Sequence, residues 1–180
     1  MFLNRPQQLV GCVVLGLSLL LSGCGFQLRG TGVDNIKLDE IRVSSNNPFG
    51  ATHRQLVEAL EVDGVRISDS AAFTLQLIEE GQERRAVTYT ARSTPAEYEL
   101  SSLLRFQISD AQGRALVGPE TLTTQRIFVN DKDNIIGTGE EESWLRREMQ
   151  RDLTRQLLFR LSSMSEGQLQ ARERTLNQAP

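Results

Sequence analysis

The feature that most constrains the fold is the alternation between Glu97 and Ile108. Tyr98, Leu100, Leu104, Phe106 and Ile108 share one parity, and Glu97, Glu99, Ser101, Arg105 and Gln107 the other. A strand places successive side chains on opposite faces, so this segment belongs to a sheet with one face on a core and one face solvated. The same period extends upstream, through Val65 and Ile67, then Phe73, Leu75 and Leu77, then Val87, Tyr89 and Ala91. Around Gly81 the pattern fits either a bulge or bend within one long strand or a hairpin turn. Asp110-Ala111-Gln112-Gly113 signals a turn, and residues 114–129 hold the last strand, interrupted at Gly118-Pro119.

Helical periods flank this strand-rich middle. Residues 36–44 form a first strand through Ile36, Leu38, Ile41 and Val43. Asn47 can then cap a helix with Pro48 at its first position, where a missing N–H costs nothing. That helix runs to about Asp63, stops at Gly64, and carries Phe49, His53, Leu56, Val57 and Leu60 on one stripe. After a polar loop from Asn130 to Gly139, Thr138 and Glu141 match a capping box, with Glu140, Glu141 and Glu142 at the favourable end of the dipole. The second helix extends to about Ser163, roughly 36 Å at 1.5 Å per residue. Leu145, Met149, Leu153, Leu157 and Leu161 recur every four residues, with Leu158 and Met164 widening the stripe and Arg147, Arg151, Arg155 and Gln156 opposite. Residues 165–180 are polar and are expected to be a disordered tail. The expected fold is α+β: two helices packed on one face of a small, mostly antiparallel four-stranded sheet, in a single domain over residues 36–164.

The N-terminus is a targeting segment. Arg5 precedes an apolar run from Leu9 to Leu21, too short for a bilayer core that needs about 20 residues but suited to a signal peptide. It leads into Leu21-Ser22-Gly23-Cys24, which resembles the lipobox of bacterial lipoproteins. That resemblance implies that residues 1–23 are a signal peptide, that Cys24 is the lipidation site, and that residues 24–35 form a lipidated tether. Several acyl chains on one cysteine give firm anchoring, because each buried methylene contributes about 0.8 kcal/mol. Gly25 stands where an aspartate would favour inner-membrane retention, so the expected location is the outer membrane, facing the periplasm.

Cleavage before Cys24 leaves 157 residues with 19 basic and 23 acidic side chains, enough for one domain and a net charge of −4. An acidic balance argues against nucleic acid as a partner. Cys12 leaves with the signal peptide, so no disulfide can form within the mature chain and stability rests on the core. All basic residues but Lys37 and Lys132 are Arg. The planar guanidinium fork suits phosphate, as on a surface for phosphorylated lipid, but a GC-rich genome also favours Arg codons.

Catalytic chemistry finds little support. His53 is the single histidine and lies on the apolar stripe of the first helix, as a core or boundary residue would. No serine sits in a nucleophile elbow. Metal sites need clustered His, Cys or carboxylate ligands, and Glu140-Glu141-Glu142 is explained by the helix dipole. Gly30 and Gly32 lack a P-loop lysine, and Lys132 lies in a loop with no apolar shell to depress its pKa. The sequence reads as a non-enzyme with no catalytic residues, metal site or cofactor.

Cys24-Gly25-Phe26-Gln27-Leu28-Arg29-Gly30 resembles the opening of the LptE family, outer-membrane lipoproteins that assemble lipopolysaccharide with the barrel LptD. Leu60-Glu61-Val62-Asp63-Gly64-Val65 at the end of the first helix is similar to the family, as is Ala96-Glu97-Tyr98 at the start of the best strand. The last helix adds Glu148-Met149, Asp152, Gln156 and Arg160-Leu161. These matches follow the family's order across nearly the whole mature chain. The resemblance implies two helices on a four-stranded sheet, a plug inside the LptD lumen needed for barrel assembly, and binding of lipopolysaccharide. It places lipopolysaccharide contacts near the strand 2–3 turn and in the loop before the last helix. By the Ala96-Glu97-Tyr98 register, the turn position falls on Ala91, with Arg92 beside it. In the second loop the family's basic residue is replaced near Thr138, leaving Lys132 as the loop's cation. Arg92 and Lys132 are therefore the candidate contacts. The alternative is a periplasm-facing lipoprotein that scaffolds or carries another ligand.

Overall fold

The computed structural model describes residues 36–178. The signal peptide, Cys24, the tether and the Phe26–Gly30 motif lie outside the described residues. The element order is β1 (Glu40–Ser45), α1 (Ala51–Val62), β2 (Arg66–Ile67), β3 (Thr74–Tyr89), β4 (Pro95–Ser109), β5 (Ala115–Val129), α2 (Ile135–Ser162) and α3 (Glu166–Gln178). The strands form one sheet in the order β2-β1-β3-β4-β5. β3, β4 and β5 are an antiparallel meander, while β1 runs parallel to both β2 and β3. The fold of the described residues is therefore α+β as expected, but with three helices and a five-stranded mixed sheet rather than two helices and four mostly antiparallel strands. Strand polarity escapes a periodicity argument, because period two is the same in either direction.

The alternation from Tyr98 to Ile108 is realised: Leu100, Leu104, Phe106 and Ile108 are buried, as is Ser102, which keeps the same parity. Gly81 is not a turn. β3 is one strand, with a register shift between Leu77 and Glu79. Gly81 pairs with Leu103, whose side chain fills the space beside it; an added Cβ would lie 3.1 Å from Leu103 Cγ. At Gly118, where β5 bulges opposite Gln107, φ is +85° and a Cβ would meet Phe106 O and Glu120 N at 2.9 Å, so only glycine fits.

The helix starts need correction. Gly50, not Asn47, is the N-cap of α1; Pro48 and Phe49 lie in the preceding turn, and Phe49 is 87% exposed instead of sharing the apolar stripe. Thr52, Leu56 and Leu60 are the buried positions. The stop is as expected: Gly64 has φ +87°, and Val65 N–H donates back to Leu60 O at 2.9 Å. α2 starts earlier than the capping box implies. Asn134 Oδ1 accepts from Gly137 N–H at 3.0 Å, and Thr138 lies inside the helix with its hydroxyl near Asn134 O and Asp131 O. The stripe of Leu145, Met149, Leu153, Leu157, Leu158 and Leu161 is buried throughout.

The polar C-terminal segment is helical over Glu166–Gln178, not disordered. Its sequence offers the core little beyond Leu169, which is 1% exposed. Backbone and side-chain bonds hold the rest: Glu166 N–H donates to Lys37 O, Arg172 Nη1 to Leu116 O, and Arg114 Nη2 to Asn177 Oδ1. α3 thus runs along one end of the sheet, the base, from the start of β1 to the β4–β5 hairpin. The opposite end, the tip, carries the β3–β4 turn and the β5–α2 loop.

Two apolar clusters lie on the helix-covered face. The larger, at the base, joins β1, α1, α2, α3 and the lower parts of β3–β5 around Phe106, Leu157 and Leu161. The smaller, towards the tip, consists of Leu100, Phe128, Leu145 and Met149 with Tyr98 packed against them. Ser102 pairs with Thr124 across β4–β5 between the two clusters, and both are buried. Nearby, Gln150 Nε2 donates to Thr52 Oγ1 (2.7 Å) and Thr52 Oγ1 to Glu80 Oε2 (2.5 Å).

Candidate functional site at the tip

The structure brings the two candidate cations to the same end of the sheet. Arg92 occupies the β3–β4 turn, which Thr90 and Thr94 close: Thr90 N–H donates to Thr94 O at 2.8 Å, and Ser93, at φ 56°, donates its N–H to Thr90 O. Lys132 lies in the β5–α2 loop. Asn130 ties that loop to the start of β4, donating its N–H to Ala96 O at 2.8 Å and its Nδ2 to Pro95 O at 2.9 Å. Inside the loop, Asp131 Oδ1 accepts from Asp133 N–H at 2.9 Å. Both cationic side chains are exposed. Arg92 makes no ion pair among the described residues, and Lys132 is flanked in sequence by Asp131 and Asp133.

Several other cations towards this end are already engaged, although Arg147 on α2 is exposed and makes no ion pair among the described residues. Arg84 pairs with Glu142 at 2.9 Å and stacks over the Tyr98 ring, 4.8 Å from its centroid. Arg146 also binds Glu142, at 2.7 Å, and Arg85 binds Glu99 at 2.9 Å. Burial pushes the Glu142 carboxyl up, but hydrogen bonds and charge from Arg146 and Arg84 outweigh it and hold the group below the ordinary glutamate range. This cluster ties β3 to α2 and stiffens the support beneath the loops.

Sequence reasoning missed the apolar rim. Tyr89, Ile127, Val129, Ile135, Ile136 and Trp144 are all more than half exposed and belong to the tip ends of β3, β5 and α2. Ile127 and Val129 pair with Glu99 and Glu97, on the face without helices. Each looks like an ordinary strand or helix hydrophobe in sequence; only the fold shows that it is left exposed among the described residues. An exposed guanidinium and ammonium beside apolar side chains are suited to an amphiphile with an anionic head.

The other candidates fall elsewhere. His53 is half-buried on α1, and the described residues hold no group of three or more His, Cys, Asp or Glu that could bind a metal ion. Among the same residues no helix is long and apolar enough to cross a membrane. Glu140–Glu142 lie inside α2 rather than at its first turn, and Glu142 serves Arg84 and Arg146.

Comparison with known proteins agrees with the resemblance noted in the sequence. A relative from Pectobacterium atrosepticum, the LPS-assembly lipoprotein LptE, is 28% identical over 87% of this chain and 86% of its own length. The protein of that name from Photorhabdus laumondii is 26% identical over 92% of this chain and 93% of its own. The fold is shared with lipoprotein B of Nitrosomonas europaea (TM-score 0.66, 20% identity, 77% of this chain and 91% of that one). It is shared too with rare lipoprotein B of Shewanella oneidensis (TM-score 0.62, 24% identity, 69% and 94%). The family model described as LptE, lipopolysaccharide-assembly, matches residues 38–161, and the chain belongs to that family.

Proposed function

We propose that the protein is an outer-membrane lipoprotein, lipidated on Cys24 and facing the periplasm, that joins the LptD barrel as plug and assembly factor and binds lipopolysaccharide at its tip. The observation that carries the ligand part is the placement of Arg92 and Lys132 at one end of the sheet, where Asn130 ties the Lys132 loop to the start of β4 and apolar side chains are exposed. Phosphate groups would meet the guanidinium, and acyl chains the rim of Ile127, Val129, Ile135 and Ile136. Family membership supports the assembly role, which is non-catalytic.

Affinity purification of the native lipoprotein in mild detergent tests the partnership. A large outer-membrane barrel should co-purify, and depletion of the lipoprotein should leave that barrel misassembled. Normal barrel assembly after depletion would overturn the plug role. For the ligand, Arg92→Glu should weaken retention of lipopolysaccharide in a pull-down, and unchanged retention would remove Arg92 from the site.

A further inference from the structure

Among the described residues, the sheet order leaves β5 with a long unpaired outer edge, and its two halves are treated differently. The base half is blunted. Pro119 has no N–H, Glu120 is held by Arg160 at 2.7 Å, and Arg172 of α3 caps the Leu116 carbonyl at 3.0 Å. The free edge of β3 above Leu77 is guarded by charge, with Glu79, Glu80, Glu83, Arg84 and Arg85 in seven residues. Thr121–Val129, the tip half of β5, has neither defence. It contains no Pro or Gly and five β-branched residues, and its one charge, Arg126, is turned back to Asp152 of α2. Natural edge strands normally carry charge, Pro or a cover because an open edge templates pairing with another chain.

This half-edge is also complementary to itself. Antiparallel pairing about a two-fold axis normal to the sheet requires the centre to fall on a residue, so that facing side chains lie on the same face. With Gln125 at the centre, Leu122 faces Phe128 of the second copy on the helix-covered face, and Thr124 faces Arg126. On the other face Thr123 meets Ile127 and Thr121 meets Val129. Most facing pairs join apolar or β-branched side chains, and no like charges oppose. Centres at Thr123 or Ile127 spoil this. The first sets Ile127 against Pro119, which cannot donate, and the second shortens the ladder by running past Val129 into the Asn130 turn. Gln125 alone uses the whole stretch.

We propose that the chain forms a homodimer through antiparallel pairing of Thr121–Val129 in two copies, centred on Gln125. The two sheets then continue into one across the interface, and the exposed Ile127 and Val129 are partly covered. The dimer closes the open edge while the protein is not enclosed by a larger partner; it does not depend on the barrel assignment.

Site-specific crosslinking of the full-length lipoprotein, purified in mild detergent, tests the register. Gln125→Cys should form a covalent dimer on oxidation, because the two copies of that residue face each other. Thr123→Cys should not link to itself, but should link to Ile127→Cys when the two variants are mixed. The parent chain and an exposed control, Phe49→Cys, should give no dimer. In sedimentation, Thr123→Lys should halve the mass of the parent while circular dichroism stays the same. A monomeric parent would overturn the proposal, as would equal linking at Thr123 and Gln125, or Gln125→Cys linking to a different protein. A barrel that co-purifies with a chain that never links to itself would sink the dimer and leave the proposed function standing.

Discussion

The base and the tip are built from the same three strands but are held by different means. At the base, β1, β2 and all three helices close on one large apolar cluster, and the carboxyl of Asp110 is buried in the β4–β5 turn. There it accepts from the N–H groups of Gln112 (3.0 Å) and Arg114 (2.9 Å) and from Arg114 Nε (2.6 Å). At the tip, α1 and β1 have ended and α2 alone covers the sheet over four buried side chains. The Arg84–Glu142–Arg146 cluster and the loop bonds of Asn130 supply what the small core does not. On the proposed function, the contrast divides stability and recognition along the strands. The base can be dense because it binds nothing in the proposed function, while the tip leaves its hydrophobes uncovered because it does.

Substitutions at matched positions can break this division. Phe106→Ala, in the base cluster, should cost the most, about 3–5 kcal/mol in denaturant unfolding, by transfer and cavity terms. Met149→Ala should cost about 2 kcal/mol, and its effect should be local. Amides near 90–100 and 127–145 should exchange faster while base amides keep their protection. Uniform loss of protection would show that base and tip unfold as one unit.

Asp110→Asn should cost about 1–3 kcal/mol by weakening a buried hydrogen-bond network. Burial raises the Asp110 carboxyl, but hydrogen bonds and charge from Arg114, with the Gln112 N–H, outweigh it and leave the group below its ordinary value. A depressed carboxyl stabilises the fold above the unfolded value, near pH 4, and that contribution is lost as pH falls through the folded value. Acid unfolding of the wild type should therefore steepen below about pH 4, and Asp110→Asn should flatten it. Glu142 has the same sign at the tip, so Glu142→Gln should flatten the acid sensitivity of tip amides alone.

Arg84→Ala removes one ion pair and one ring contact, both partly exposed, and should cost about 1 kcal/mol. Arg92→Glu should change stability by no more than about 0.5 kcal/mol, because the side chain is exposed and makes no ion pair among the described residues. Its effect should appear in ligand binding, which separates recognition from support.

Much of this was legible in the sequence, and the gaps have identifiable causes. The β4 alternation and the four-residue leucine spacing of α2 were readable because burial on one face selects residue type at every turn of the pattern. The C′ role of Gly64 was readable because a positive φ selects glycine. α3 was not: Leu169 is its one buried side chain, and its attachment uses backbone groups and Arg172, which carry no hydrophobic signature. The start of α1 was misplaced because Asn47-Pro48 and Gly50 both suit a helix entrance, and the local sequence does not decide between them. At the candidate site, Arg92 and Lys132 came from family resemblance, and their placement at the same end of the sheet had to come from the fold. The apolar rim was hidden because Ile127 and Val129 look like core strand residues until the sheet shows which face has no helices.

The strands of the meander are long, with β3 running for 16 residues and β4 and β5 for 15 each. At about 3.3 Å per residue that is a rod of about 50 Å. The hydrocarbon layer of a bilayer is about 30 Å thick. The described chain enters at the base, through Ile36 and Lys37 beside Ser165, while Arg92 sits at the opposite end. Stood upright in a membrane pore with its base at one surface, such a body is long enough to carry its cations past the far edge of the oily layer. In the proposed function the strands would act as a ruler, setting where in the depth of the membrane a head group is met.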